Sequence, residues 1–187
     1  MSASDARIAT LLLNDAQKRL RHYQSRILRC LDELSDREIW WRPNEAANSA
    51  GNLALHLSGN VRQWIVSGLG GAADVRARDL EFSERGPVPR RALAARLRTA
   101  VNDACRVLKK LDAAALTRRY AIQGFHVTGL EAVCHVYEHF SHHAGQIIYI
   151  TKMTRGKDLR FTNLPSIKKK KQRRAGVRVR IAGAGFC

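Results

Sequence analysis

Thr128-Gly129-Leu130-Glu131-Ala132-Val133-Cys134-His135-Val136-Tyr137-Glu138-His139-Phe140-Ser141-His142-His143-Ala144-Gly145-Gln146-Ile147-Ile148-Tyr149-Ile150 sets the fold class. Val133, Val136, Phe140, Ile147 and Ile150 recur at three- and four-residue steps, which is the period of one helix face. Thr128 is a helix-capping residue type. The spacing predicts a helix over about 129–153.

The same reading extends toward the N-terminus. Ser4 to Leu34 forms a long amphipathic pattern, with Ile8, Leu11, Leu12, Ala16, Leu20, Tyr23, Ile27, Leu28 and Leu31 on its apolar side. Ser35-Asp36-Arg37-Glu38 is a capping box that opens a short turn, and Pro43 breaks it. Ser49 caps a second helix over about 50–67, with Ala50, Leu53, Leu57, Val61 and Trp64 in step. Gly68-Leu69-Gly70-Gly71 ends it. Residues 70–86 read as a long polar loop. Pro87 and Pro89 lead into a third helix over about 90–111, carried by Leu93, Leu97, Val101, Cys105 and Leu108. Arg119 to Phe125 suits a short extended pair around Gln123-Gly124. Four long helices with three connections predict an all-α four-helix bundle. No βαβ alternation, Gly-rich phosphate loop, Gly-x-Ser-x-Gly or solenoid repeat is present.

The chain has 187 residues, enough for one domain and a tail, and 45% are hydrophobic, enough for a packed core. No apolar run is long enough to span a bilayer, and the start lacks a secretory cleavage site. Cys30, Cys105, Cys134 and Cys187 lie far apart with no Cys-x-x-Cys pair, which argues against a zinc ribbon or a disulfide scaffold. A soluble protein in a reducing, cytoplasmic setting is the expectation.

The net charge of +17 is uneven. From Lys152 onward there are 12 basic residues and one acid, centred on Lys168, Lys169, Lys170, Lys171, Arg173 and Arg174. A like-charge block of this kind does not pack and reads as disordered. The expected boundaries are a domain over 1–159 and a basic tail over 160–187. Such a tail can hold nucleic acid or an anionic membrane by counterion release. The favoured reading is a solvated appendage, because no aromatic interleaves with the charge.

Five histidines sit on the second and fourth helices: His56, His135, His139, His142 and His143. At about 100° per residue from Val136, His143 falls near −20° and His139 near −60°, beside the core face. His135 and His142 fall near −100° and −120°, at the border with solvent. His56 lies in a polar strip with Asn60 and Gln63 that borders the apolar face of its helix. Two imidazoles at i and i+4 can reach one metal, and a third can come from a facing helix. From spacing alone, metal ligation and polar core packing both stay open. His-Glu-x-x-His is absent, because Phe140 follows His139. Asn60 and Gln146 are candidates to orient ligand rings, and His142 to shuttle protons. Trp41 and Trp64 read chiefly as core residues and otherwise as pocket walls.

The segments Trp41-Arg42-Pro43, Asn48 to Ile65, Ile122 to Phe125, Val136 to Lys152 and Gly156 to Phe161 resemble the DinB/YfiT-like superfamily, closest to a branch of unknown function. The resemblance covers about residues 5–161. It implies an up-down-down-up four-helix bundle, often a homodimer. It also implies a divalent nickel, zinc or iron ion on three histidines, which match His56, His139 and His143. Some relatives act as thiol S-transferases or hydrolases with low-molecular-weight thiols. The basic tail departs from the family pattern.

Three readings therefore compete. The first is a metal-dependent thiol transferase or hydrolase, with a small thiol or hydrolysable molecule as substrate. The second is a non-catalytic bundle holding a metal for structure. The third is a nucleic-acid-binding module working through the tail.

Overall fold

The computed structural model describes residues 2–86 and 88–161. In chain order these form α1 (Ala3–Glu33), α2 (Asp36–Ile39) and α3 (Ala50–Val61), which a π-helical stretch (Arg62–Leu69) continues. Then come α4 (Arg78–Ser83), α5 (Arg90–Leu108), α6 (Ala113–Thr117), β1 (Arg119–Ile122), β2 (Phe125–Thr128) and α7 (Gly129–Arg155).

Capping chemistry sets most helix starts. Ser2 with Asp5, Ser35 with Glu38, Ser49 with Asn52 and Thr128 with Glu131 each form a reciprocal capping box. The N-terminal amides of α1, α2, α3 and α7 thus find partners within the first turn. α7 ends at Gly156, whose φ of 61° suits a residue without Cβ.

The four long helices close into a ring: α1 packs on α5 and α7, and α3 packs on the same two. Gln24 Nε2 donates to Leu97 O, and Arg90 meets Asp32 and Asp36, so α1 and α5 run antiparallel. Arg19 lies over the Tyr137 ring and Arg155 reaches Glu38, so α1 and α7 run parallel. His56 faces His139 and Asn60 faces His135, so α3 and α7 run antiparallel. The sense is up-down-down-up, as the resemblance implied. The centre is filled by Leu20, Ile27, Leu31, Leu57, Leu97, Leu108, Phe140 and Ile147, all fully buried.

Several boundaries differ from the sequence expectation. The second helix extends to Leu69, because a π-helical register carries it past Gly68. The third stops at Leu108 rather than 111. Residues 70–86 are not all loop. They contain α4, held down by Asn52, whose Nδ2 donates to the carbonyls of Glu81 and Glu84 at 2.9 Å each. The expected extended pair is a two-stranded antiparallel hairpin. Gln123 and Gly124, at φ 53° and 81°, make the turn that matches strand twist. Trp41 is not core: it is 39% exposed, whereas Trp64 is buried.

Near the expected boundary at 159, Leu159 is buried and the guanidinium groups of Arg26 and Arg29 lie over the Phe161 ring. Lys168, Lys169, Lys170, Lys171, Arg173 and Arg174 lie outside the described residues. Among the described residues, no helix is long and apolar enough to cross a membrane.

Candidate metal centre

The seam between α3 and α7 brings His56, His139 and His143 together. One ring nitrogen from each lies within 4.8 Å of the others. Helix spacing explains the pair on α7, and the antiparallel crossing of α3 supplies the third ring. Nε2 of His56 and Nε2 of His139 are 2.8 Å apart. Two species put these atoms so close: an N–H···N hydrogen bond, or two lone pairs on one cation. With metal–nitrogen bonds of about 2.0–2.1 Å, neighbouring ligand atoms stand roughly 2.9 Å apart in octahedral geometry and 3.3 Å in tetrahedral geometry. The donor set therefore fits a divalent ion, and the cluster can hold one.

The opposite edges of two of these rings are also tied. His56 Nδ1 lies 3.0 Å from Glu81 Oε2 and 3.1 Å from Arg76 Nη2; towards the carboxylate, which can only accept, it donates. Glu81 in turn receives Arg76 Nε on Oε1 at 2.8 Å and Arg76 Nη2 on Oε2 at 2.7 Å. Arg76 Nη1 donates to Gln63 Oε1 at 2.8 Å. Donation from Nδ1 to the Glu81 carboxylate leaves the Nε2 lone pair facing the cluster. On α7, Gln146 Oε1 accepts from His143 Nδ1 at 2.6 Å.

The electrostatics favour neutral rings. Burial pushes His139 down to about 3, aided by repulsion from His143, His56, His135 and Arg76. His143 is lowered first by burial and partly restored by Gln146. Burial works to raise the Glu81 carboxyl, but Arg76 and His56 outweigh it and hold the group below the usual carboxylate range. Unprotonated imidazole is the ligating form, and an ionised carboxylate is the stronger partner for His56.

A family described as a protein of unknown function, DUF1572, matches residues 7–168. The chain belongs to the DUF1572 family. Its fold is shared by a conserved protein from Enterococcus faecalis, at 14% identity and a TM-score of 0.68, covering 77% of this chain and 97% of that one. It is also shared by a DinB-like protein from Bacillus cereus ATCC 10987, at 17% identity and a TM-score of 0.59, covering 72% and 87%. These identities establish likeness of fold. No curated protein matches the sequence.

Other residues of this DUF1572 chain make contacts the sequence pattern did not assign. Among the described residues Asn60 makes no hydrogen bond to the three clustered rings; its Nδ2 is 3.3 Å from His135 Nε2. Asn60 Oδ1 is buried with no hydrogen-bond partner among the described residues. His135 is half-buried, at the border the sequence pattern gave it. It stacks on Trp64 with ring centroids 3.9 Å apart and lies 5.2 Å from His139. Trp64 Nε1 donates to Gln123 Oε1 at 3.0 Å, which ties the hairpin turn to this wall. His142 is exposed and meets only the edge of His143, at 5.0 Å between centroids.

Arg76 and Glu81 were missed altogether, because 70–86 read as loop. No periodicity links them to His56. The one available signal was Leu80-Glu81-Phe82, an acid between two apolar residues, and the Phe82 ring packs 4.6 Å from His56.

Proposed function

We propose that His56, His139 and His143 hold one divalent metal ion, and that this centre serves a thiol-transfer or hydrolytic reaction. The observation that carries the reading is the relay from Arg76 through Glu81 to His56. A buried carboxylate that receives the outer N–H of an imidazole, while the inner nitrogen faces two more imidazoles, is the support a metal-ligating histidine needs. An ion bound there supplies Lewis acidity, which makes a water or thiol nucleophilic near neutral pH.

The protein's own residues do the rest. Glu81 orients His56, and Arg76 keeps Glu81 ionised and in place. Gln146 orients His143. Trp64 and His135 form a flat wall beside the cluster, and Asn60 contributes a buried amide atom free to bond a ligand. The partner is a low-molecular-weight thiol or a hydrolysable small molecule. The ion is nickel, zinc or iron, all of which accept imidazole. A homodimer is expected, and light scattering on the purified chain tests it.

Elemental analysis of protein purified without chelator is the decisive experiment. The expected result is about one equivalent of metal per chain, lost in both His56→Ala and His139→Ala, with affinity for added metal down by more than about 100-fold. Absence of metal and no uptake of added nickel, zinc or iron would leave the histidines as polar packing. Loaded protein that acts on neither thiol nor ester substrates would reduce the centre to a structural role.

A further inference from the structure

The helix that carries Glu81 has little apolar anchorage. α4 has six residues, too few to persist as a helix unaided in water. Leu80 is 68% exposed, and Phe82 adds one half-buried ring against His56. Glu81 is the one buried residue of α4, and its carboxylate meets His56. Burial by itself penalises an acid, so polar contacts must hold α4 in place.

Asn52 supplies them. It lies on α3 one turn before His56 and on the same face. All four hydrogen-bonding positions of its buried amide are used. Oδ1 accepts from Ser49 N at 3.1 Å and from Ser49 Oγ at 2.7 Å, which closes the start of α3. Nδ2 donates to Glu81 O and Glu84 O at 2.9 Å each, carbonyls that the end of α4 leaves without helical partners. The network sets this orientation, because the reversed amide would set its oxygen against two carbonyls.

Glu81 is thus gripped at both ends. Asn52 holds its backbone carbonyl and His56 its carboxylate, from positions i and i+4 of one helix. Gly59, three residues further along, leaves the room that the carboxylate occupies, since a Cβ there would run into it. Asn52, His56 and Gly59 form the face of α3 on which α4 sits.

We propose that Asn52 is a positioning residue of the metal centre, a role that rests on the reading of the three histidines as ligands. By latching the end of α4 it keeps the Glu81 carboxylate on His56 Nδ1. It thereby sets the orientation of the His56 ring and the affinity of the cluster for its ion. The two ends of one amide do separate work: Oδ1 serves the start of the helix and Nδ2 serves the site.

Asn52→Asp separates them. An aspartate keeps the capping oxygen at the start of α3 and loses both donors to α4. Asn52→Ala loses the donors without adding a charge, and Ser49→Ala weakens the cap while leaving Nδ2 in place. Metal affinity, read by competition with a chelating dye, should fall about 10- to 100-fold in both Asn52 variants and stay within about two-fold in Ser49→Ala. In a Glu81→Ala background either Asn52 substitution should cost less than about two-fold more, because the carboxylate it positions is already gone. An asparagine that only stabilised the fold would lower affinity by the same factor in both backgrounds. Two readouts need no metal. At about pH 8, where a free imidazole is neutral, nitrogen NMR of labelled histidine should place the His56 proton on Nδ1 in the parent and share it between Nδ1 and Nε2 in Asn52→Asp. Hydrogen exchange should quicken at the Glu84 amide, which bonds Leu80 O, and stay unchanged within α3. A parent chain that takes up no metal would defeat the three-histidine reading and leave these two readouts to decide the latch. Unchanged affinity, or an unchanged His56 proton, in both Asn52 variants would overturn the proposal. So would losses that multiply across the Glu81→Ala background, or collapse of the whole fold in both variants.

Discussion

The α3–α7 seam and the segment between residues 70 and 86 meet at the same imidazole, and they hold it by different means. The seam places His56, His139 and His143 through helical spacing and a core of fully buried residues such as Leu57 and Phe140. Its geometry is spread over many small packing terms. The segment supplies Arg76 and Glu81 through one forked ion pair whose side chains are 3% and 10% exposed. Its geometry rests on a few strong, directional bonds in a poorly solvated place. A position held by packing tolerates a lost bond. A position held by one buried pair does not.

The sharpest way to break this contrast is Glu81→Gln. It keeps the shape but exchanges a charged acceptor for a neutral one and strands Arg76. Metal affinity, read by competition with a chelating dye, should fall about 10- to 100-fold. An unchanged affinity would mean the segment only covers the seam.

The packing side is sharpened by Cys30 of α1, fully buried beside Thr151 of α7. Burial pushes this thiol from 9.0 up to about 11, outweighing a hydrogen bond with Thr151 and the charge of Arg29. The folded chain therefore binds more protons than the unfolded chain between those values, and stability falls as pH rises through that window. Between pH 8 and 10.5 the parent should lose about 2 kcal/mol more than Cys30→Ala does, by urea unfolding at each pH. Parallel slopes would show that the thiol is not sealed inside the core.

A smaller effect separates the two regions within one residue. Gly59 lies on α3, and a Cβ there would run into the Glu81 carboxylate. Gly→Ala inside a helix ordinarily stabilises by about 0.5–1 kcal/mol. Gly59→Ala should leave the melting temperature nearly unchanged while metal affinity drops roughly ten-fold. A parallel loss of both would place the damage in the helix. The mildest expected change is at Gln146, which is exposed: Gln146→Ala should cost about three-fold in metal affinity, because water can replace its carbonyl.

These differences also explain what the sequence revealed. The His139 and His143 pair was legible because i and i+4 share a helix face whatever else the chain does. His56 followed from its place beside an apolar stripe that must meet a neighbour. The parts of the site held by tertiary contact were not legible. Glu81 reaches His56 only because Asn52 captures carbonyls of the segment around α4, across about thirty residues of chain. The stacking of His135 on Trp64 was equally hidden, because it needs the π-helical stretch to carry Trp64 there and the hairpin turn to hold Trp64 through Gln123. Neither event has a period, and each depends on side chains distant in sequence.

The parallel pairing of the first and last long helices bears on synthesis. The apolar side of α1 is complete once Glu33 has left the ribosome, yet its neighbour on one flank ends at Arg155. Arg155 bridges back to Glu38, and Lys157 to Glu33, across almost the whole domain. Such contacts carry a high loop-closure cost and form late. A nascent chain halted before α7 exposes the faces of α1 and α3 and owns one of the three clustered histidines. Closing the core and completing the cluster are thus one event, which waits for α7.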